Sequence, residues 1–181
     1  GNKKDHHVII CVGNIDVRKN QLMLAEAFSG LTSDFPDWTL EFWGADRSLY
    51  AKHMKKWIER NHLSHKIHIN GKTDHVEDVY AEADIFCLPS RDEGSPLALT
   101  EAMAAGIPAV GFSDCTGVRD LIENGKSGLL FTRSVDELAR ALKKVMNHPA
   151  LRKTMGKAGR QGMKQYAPEH IWDEWGNGVV G

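Results

Sequence analysis

No segment of this 181-residue chain approaches the roughly 20 consecutive apolar residues needed to cross a bilayer. The opening stretch, Gly1–His7, is polar where a secretory signal would be apolar. Cysteine is scarce as well. Cys11, Cys87 and Cys115 lie far apart, the first two inside apolar runs that read as strands, so free thiols in a reducing cytoplasm are expected rather than disulfides. An excess of either charge is also missing. Twenty-three Lys and Arg against 24 Asp and Glu leave a formal charge of −1, so the broad basic surface that holds a nucleic acid backbone is absent. No repeat, linker or low-complexity tract interrupts the chain, and its length with 41% hydrophobic residues suits one compact domain.

What the chain does contain is alternation. From Val8 onward, short β-branched apolar runs alternate with stretches of helical period, as in a parallel sheet with crossover helices. Strands are predicted at Val8–Val12, Thr39–Trp43, Lys66–Ile69, Ile85–Leu88, Ala109–Phe112 and Gly128–Phe131. Helices are predicted at Asn20–Leu31, Ser48–Asn61, His75–Ala83, Pro96–Ala105, Val118–Asn124, Val135–Asn147, Ala150–Gln165 and Glu169–Trp175. Several strands lack polar alternation, which implies a sheet covered on both faces: a doubly wound, Rossmann-like α/β fold of about six parallel strands. Residues 1–7 read as a polar leader or expression remnant, 8–167 as the sheet domain, and 168–181 as a last helix and tail.

Such sheets bind ligands beyond the carboxyl ends of their strands, where the strand order reverses. The richest loop there is Pro89-Ser90-Arg91-Asp92-Glu93-Gly94-Ser95-Pro96, which runs into a helix. Ser95 is a suitable N-cap and Pro96 suits the first helical position, so the free N–H groups of Leu97 and Ala98 should make an anion seat that Gly94 opens to close approach. Glu101, one turn on, should lean back toward that seat, and Glu93 flanks it from the loop. Carboxylates repel phosphate, so these two should accept hydrogen bonds from hydroxyls of a sugar or ribose, and the combination points to a nucleotide sugar. The plain alternative is a simple helix start with two solvated glutamates.

Glu93 and Glu101 are separated by seven residues, and Glu101 opens the run Glu-Ala-Met-Ala-Ala-Gly-Ile-Pro, ending at Pro108. This segment resembles the signature of group 1 (family 4) retaining glycosyltransferases of the GT-B type. The resemblance runs from the Val12-Gly13 turn through Gly125-Lys126-Ser127-Gly128 to the trailing helices, covering about residues 8 to 175. It implies the donor half of a GT-B enzyme, a hexosyltransferase that moves sugar from a UDP- or GDP-linked donor with retention of configuration. Glu101 would bind the ribose, Glu93 the donor sugar, and the amides after Gly94 the diphosphate. Lys19 matches the family's lysine five residues beyond the arginine that follows the glycine of the first turn, and would act with Glu93 in catalysis. At the arginine's position, after Gly13, stands Asn14, which cannot neutralise a phosphate; Arg18 is the candidate substitute. A solvated helix start remains the plain alternative for Arg18 and Lys19. The loop Asn70-Gly71-Lys72-Thr73 resembles the segment that meets the base, with Lys72 as its side chain, although a simple strand-end turn fits equally. Ser95-Pro96 departs from the family's aromatic-glycine pair, which leaves the sugar undefined.

No two aspartates are separated by a single residue, so the Asp-x-Asp device for a divalent ion is lacking; neither a metal nor a cofactor other than the nucleotide sugar is expected. His62, His65 and His68 lead into a strand, where such spacing does not converge ligands. Gly176–Gly181 spells a dinucleotide fingerprint with no strand before it, so it carries no weight. Trp38, Trp43 and Trp57 read as packing residues, and Trp172 with Trp175 as contacts of a last helix. The resemblance further implies an amino-terminal partner domain that binds a saccharide or lipid-linked acceptor, cytoplasmic location, association with a membrane face through that domain, and poor turnover by this chain alone. Two other readings stay open: a sugar-nucleotide epimerase of GT-B architecture, and a non-catalytic nucleotide-binding module.

Overall fold

The computed structural model describes residues 4–94 and 96–165. Its elements, in chain order, are β1 (His7–Val12), α1 (Gln21–Ser29), β2 (Trp38–Trp43), α2 (Leu49–Arg60), β3 (Ile67–Gly71), α3 (Val76–Glu82) and β4 (Ile85–Leu88). There follow α4 (Leu97–Ala104), β5 (Ala109–Phe112), α5 (Thr116–Arg119), β6 (Gly128–Phe131), α6 (Val135–Asn147) and α7 (Pro149–Met163). The six strands form one sheet of order β3-β2-β1-β4-β5-β6, parallel throughout. The chain winds outward from β1 to β3, then crosses back to set β4 beside β1. The reversal between β1 and β4 opens the crevice in which the first and fourth strand-end loops meet.

Burial explains why these segments are strands. Every residue of β4 and β5 is buried, as expected of strands covered by helices on both faces. The helices cover them with one apolar stripe each. In α6, Leu138, Leu142, Val145 and Met146 recur at helical spacing and are buried; Ser134 caps the helix by accepting from the Glu137 N–H at 3.0 Å. Pro149 starts α7, where a missing N–H costs nothing.

The core confirms the expected packing roles: Trp38 is buried, while Trp43 and Trp57 pack partly buried against it. Cys11, Cys87 and Cys115 are free and buried. Among the described residues no helix is long and apolar enough to cross a membrane.

The predicted boundaries shift in three instructive places. β3 runs to Gly71 rather than ending at Ile69, because the Gly44 N–H donates to Gly71 O at 2.8 Å and prolongs the pairing after a register shift at Phe42/Trp43. α5 starts two residues before the predicted Val118 and stops at Arg119. Beyond it the Glu123 N–H turns to the Ser127 hydroxyl (2.9 Å), closing a loop onto β6 instead of continuing the helix. α4 starts at Leu97, one residue after Pro96, whose ψ of 91° is extended. The helix predicted at Glu169–Trp175 and the glycine-rich tail lie outside the described residues.

Candidate functional site

Three loops at the carboxyl edge of the sheet are tied together by their backbones. The Gly13 N–H donates to Trp43 O, Ile15 to Ala45 O, and Gly44 to Gly71 O, each at 2.8 Å. The β1–α1 turn is further shaped by Asp16, whose carboxylate accepts from the N–H groups of Arg18 (3.0 Å) and Lys19 (3.1 Å). Asn20 then adopts a left-handed conformation (φ 59°), which asparagine tolerates, and its side-chain amide donates to Pro89 O at 3.2 Å. This pins the Lys19 turn to the end of β4.

Between these loops lies a cleft of about 350 Å³ lined by Val12, Gly13, Lys19, Leu88, Glu93, Pro96, Leu97, Ala98 and Glu101. Both glutamates therefore line one cavity, together with Lys19 and the first turn of α4. Lys19 Nζ donates to Glu93 Oε1, and the buried Ser90 hydroxyl donates to the same oxygen at 2.9 Å. The Glu93 backbone is held from the other side, where the Gly117 N–H donates to Glu93 O at 3.2 Å. Glu101 is fixed through its Oε2, which accepts from the Tyr80 hydroxyl at 3.0 Å. Burial pushes the Glu101 carboxyl above the usual glutamate range, and the Tyr80 hydrogen bond draws it partway back.

Two helices begin at this crevice, and they differ in what their first turns leave unused. In α1 the Leu22 N–H donates to the Tyr50 hydroxyl at 2.9 Å. In α4 the first bond of the ladder is Thr100 N–H to Pro96 O (3.1 Å), so the amides of Leu97, Ala98 and Leu99 come before it. Among the described residues no side chain caps α4. The cleft lining includes Leu97 and Ala98 of α4 and no residue of α1, so an anion there meets the positive end of α4.

The other expected site residues are distributed differently. Pro96 caps α4 instead of occupying its first helical position, since its carbonyl opens the ladder while its own backbone is extended. Arg18 and Asn14 are exposed and outside the cleft lining; the Arg18 carbonyl accepts from the Arg91 N–H (3.1 Å) and the Asn14 carbonyl from the Gln21 side chain (2.9 Å). Gly94 is exposed at the rim, and Ser95 lies outside the described residues. Lys72 lines a separate cavity of about 420 Å³ with Ala45, Asp46 and Arg47, beyond β2 and β3. Tyr80, Ser90 and Gly117 escaped the sequence reading. Only Ser90, within the motif loop and three residues before Glu93, carried a local signal.

An open parallel sheet with a polar cleft at its reversal point defines a doubly wound ligand-binding domain. The sequence profile of the glycosyl transferases group 1 family matches residues 1–162, and the chain belongs to that family. It is 29% identical over 174 residues to a Haemophilus influenzae protein named as an uncharacterized glycosyltransferase, covering 96% of this chain and 49% of that protein. It is 27% identical over 171 residues to a Campylobacter jejuni alpha-1,4-N-acetyl-D-galactosaminyltransferase named for a PP-undecaprenol-linked glycan, covering 93% of this chain and 46% of that protein. Among solved structures, the Anabaena HepE protein in complex with UDP and glucose superposes with a TM-score of 0.84 at 20% identity, covering 97% of this chain and 48% of that one. The chain spans about half the length of the Haemophilus and Campylobacter relatives.

Proposed function

We propose that this chain is the donor-binding half of a retaining glycosyltransferase and holds a nucleotide-diphosphate sugar in the Lys19–Glu93–Glu101 cleft. The observation that carries the reading is the convergence of two carboxylates, one ammonium and the first turn of α4 on a single cavity. Phosphate alone would need only the last two. The carboxylates suit hydroxyls, so Glu101 grips the ribose and Glu93 the sugar, while the α4 amides and Lys19 take the diphosphate.

Charge decides how Lys19 works. Its ammonium is matched by Glu93. An arriving diphosphate competes for the same ammonium, whose three donors let it bridge Glu93 and a phosphate oxygen together. As the bond to the sugar breaks, charge grows on the departing diphosphate, and both Lys19 and the helix amides strengthen their hold on it. Asn14 leaves the second cationic position unfilled, and Arg18 reaches it only by swinging in from the exposed turn. The nucleotide base extends over β2 toward Lys72 and Arg47.

UDP accompanies glucose in the Anabaena neighbour, and a lipid-diphosphate glycan appears in the name of the Campylobacter relative. These support a UDP-linked donor, a saccharide or lipid-linked acceptor and a hexosyl transfer. Acceptor binding belongs to the remaining half of the protein, and metal-independent catalysis at the cytoplasmic side of a membrane suits such an acceptor. Calorimetry with UDP- and GDP-sugars tests the donor site: binding is expected, and Lys19→Ala or Glu101→Ala should weaken it by roughly tenfold or more, the worth of a charged hydrogen bond. Silence toward every nucleotide sugar and free nucleotide would refute the proposal.

A further inference from the structure

We infer that Tyr80 is a positioning residue for nucleotide recognition, its hydroxyl clamping one oxygen of Glu101 so that the other faces the cleft. The inference deepens the donor reading and rests on it. Tyr80 lies on α3, outside the motif loop and outside the cleft lining, and reaches the cleft through Glu101.

The geometry separates this role from simple core filling. The Tyr80 ring is 2% exposed and packs tilted against Phe86, with ring centroids 6.5 Å apart. A phenylalanine would fill that space equally well. A buried phenol brings a hydroxyl that must be satisfied, and among the described residues two acceptors are in reach: Ala98 O at 3.3 Å and Glu101 Oε2 at 3.0 Å. The nearer acceptor is also the charged one, which draws the proton more strongly. Both acceptors belong to α4, one in the turn that presents the amides and one in the side chain that grips the ligand.

Glu101 needs such a clamp. It has three rotatable side-chain bonds and sits on a half-buried helix face, where an unfixed carboxylate would swing toward water. The Tyr80 ring is immobilised by its burial, so its hydroxyl is a fixed post. Holding Oε2 leaves Oε1 as the oxygen offered to the cavity. Glu93 is treated the same way, with Ser90 and Lys19 both on Oε1. The two carboxylates thus enter the cleft already oriented, and less rotamer freedom is lost on binding.

The test uses the full-length protein, with UDP and 2′,3′-dideoxy-UDP as probes in calorimetry from acid to neutral pH. Tyr80→Phe should melt within about 5 °C of wild type, since only the hydroxyl is removed and the ring packing is kept. It should bind UDP about fivefold to tenfold more weakly, yet bind dideoxy-UDP as wild type does, because only the hydroxyl-gripping group is disturbed. The acid limb of UDP binding should also move to higher pH in Tyr80→Phe. Among the described residues, Lys19 and Glu93 are the other titratable groups that line the cleft, and they are untouched by the change. In a Glu101→Ala background Tyr80→Phe should add nothing, as expected of residues acting as a unit. Equal weakening of both probes, weakening of neither, or additivity with Glu101→Ala would overturn the role of Tyr80. If Glu101→Ala itself leaves the preference for UDP over dideoxy-UDP intact, the donor reading fails and takes this inference with it.

Discussion

Glu101 is where folding and function pull in opposite directions. Its carboxyl is raised by burial and partly restored by Tyr80, so the folded state holds the proton more tightly than the unfolded chain does. The sign follows directly. Below the ordinary glutamate range the group costs nothing, and the cost of burying its charge sets in as pH rises from the unfolded value through the raised, folded one. Ligand binding runs the other way, because hydroxyls need the ionised acceptor. Glu101→Gln is therefore expected to leave neutral-pH stability equal to or above wild type while weakening UDP binding about tenfold, a charged acceptor being worth more than a neutral one. It should also flatten the acid limb of binding. Thermal melts and calorimetry on the same samples check this, and a variant that loses stability but keeps affinity would contradict it. The pairing of Glu93 with Glu101 was legible because both stand in one contiguous motif. The clamp on Glu101 was not, since Tyr80 sits 21 residues earlier in a helix whose pattern reads only as core packing.

At the level of elements, the cleft depends on backbones that approach closely. The start of α5 presses against the Glu93 loop at Gly117, where an added methyl would stand 2.2 Å from Glu93 O and 3.0 Å from Gly94 O. Both partners are backbone, so neither can turn aside. Gly117→Ala should push the Glu93 loop away, cost about 1–3 kcal/mol of stability as overpacking does, and weaken donor binding. Chemical denaturation and calorimetry would show both effects; full affinity in Gly117→Ala would mean that the loop position is immaterial. The same close approach explains why the helix predicted at Val118–Asn124 is found two residues earlier and shorter. Four residues are too few to show a helical stripe, and the element is set by contact with Glu93 rather than by its own pattern. By contrast α6, with its capped start and regular stripe, matched its predicted span. The strands β4 and β5 also matched, because continuous burial leaves little choice of boundary, and β6 matched with only Leu130 half-buried.

For the molecule as a whole, strand order determines which loops can cooperate. Alternation in the sequence is enough to imply a parallel sheet, but lateral position is not written in it. Lys72 shows the consequence. Its loop ends β3, an edge strand two places from β1, and with strands about 4.8 Å apart it stands roughly 10 Å from the Gly13 turn. It belongs to the same edge as the glutamates but to another cavity, and only a ligand as long as a nucleotide sugar would span both. The central claim is that such a ligand lies across the β1–β4 reversal with its diphosphate on α4. The most direct measurement is a crystal structure of the protein soaked with UDP. The account predicts phosphate oxygens within hydrogen-bonding reach of the Leu97 and Ala98 amides and of Lys19, with a ribose hydroxyl on Glu101. Nucleotide bound instead in the cavity of Met103, Arg119 and Lys126, or a ribose that leaves Glu101 untouched, would contradict it.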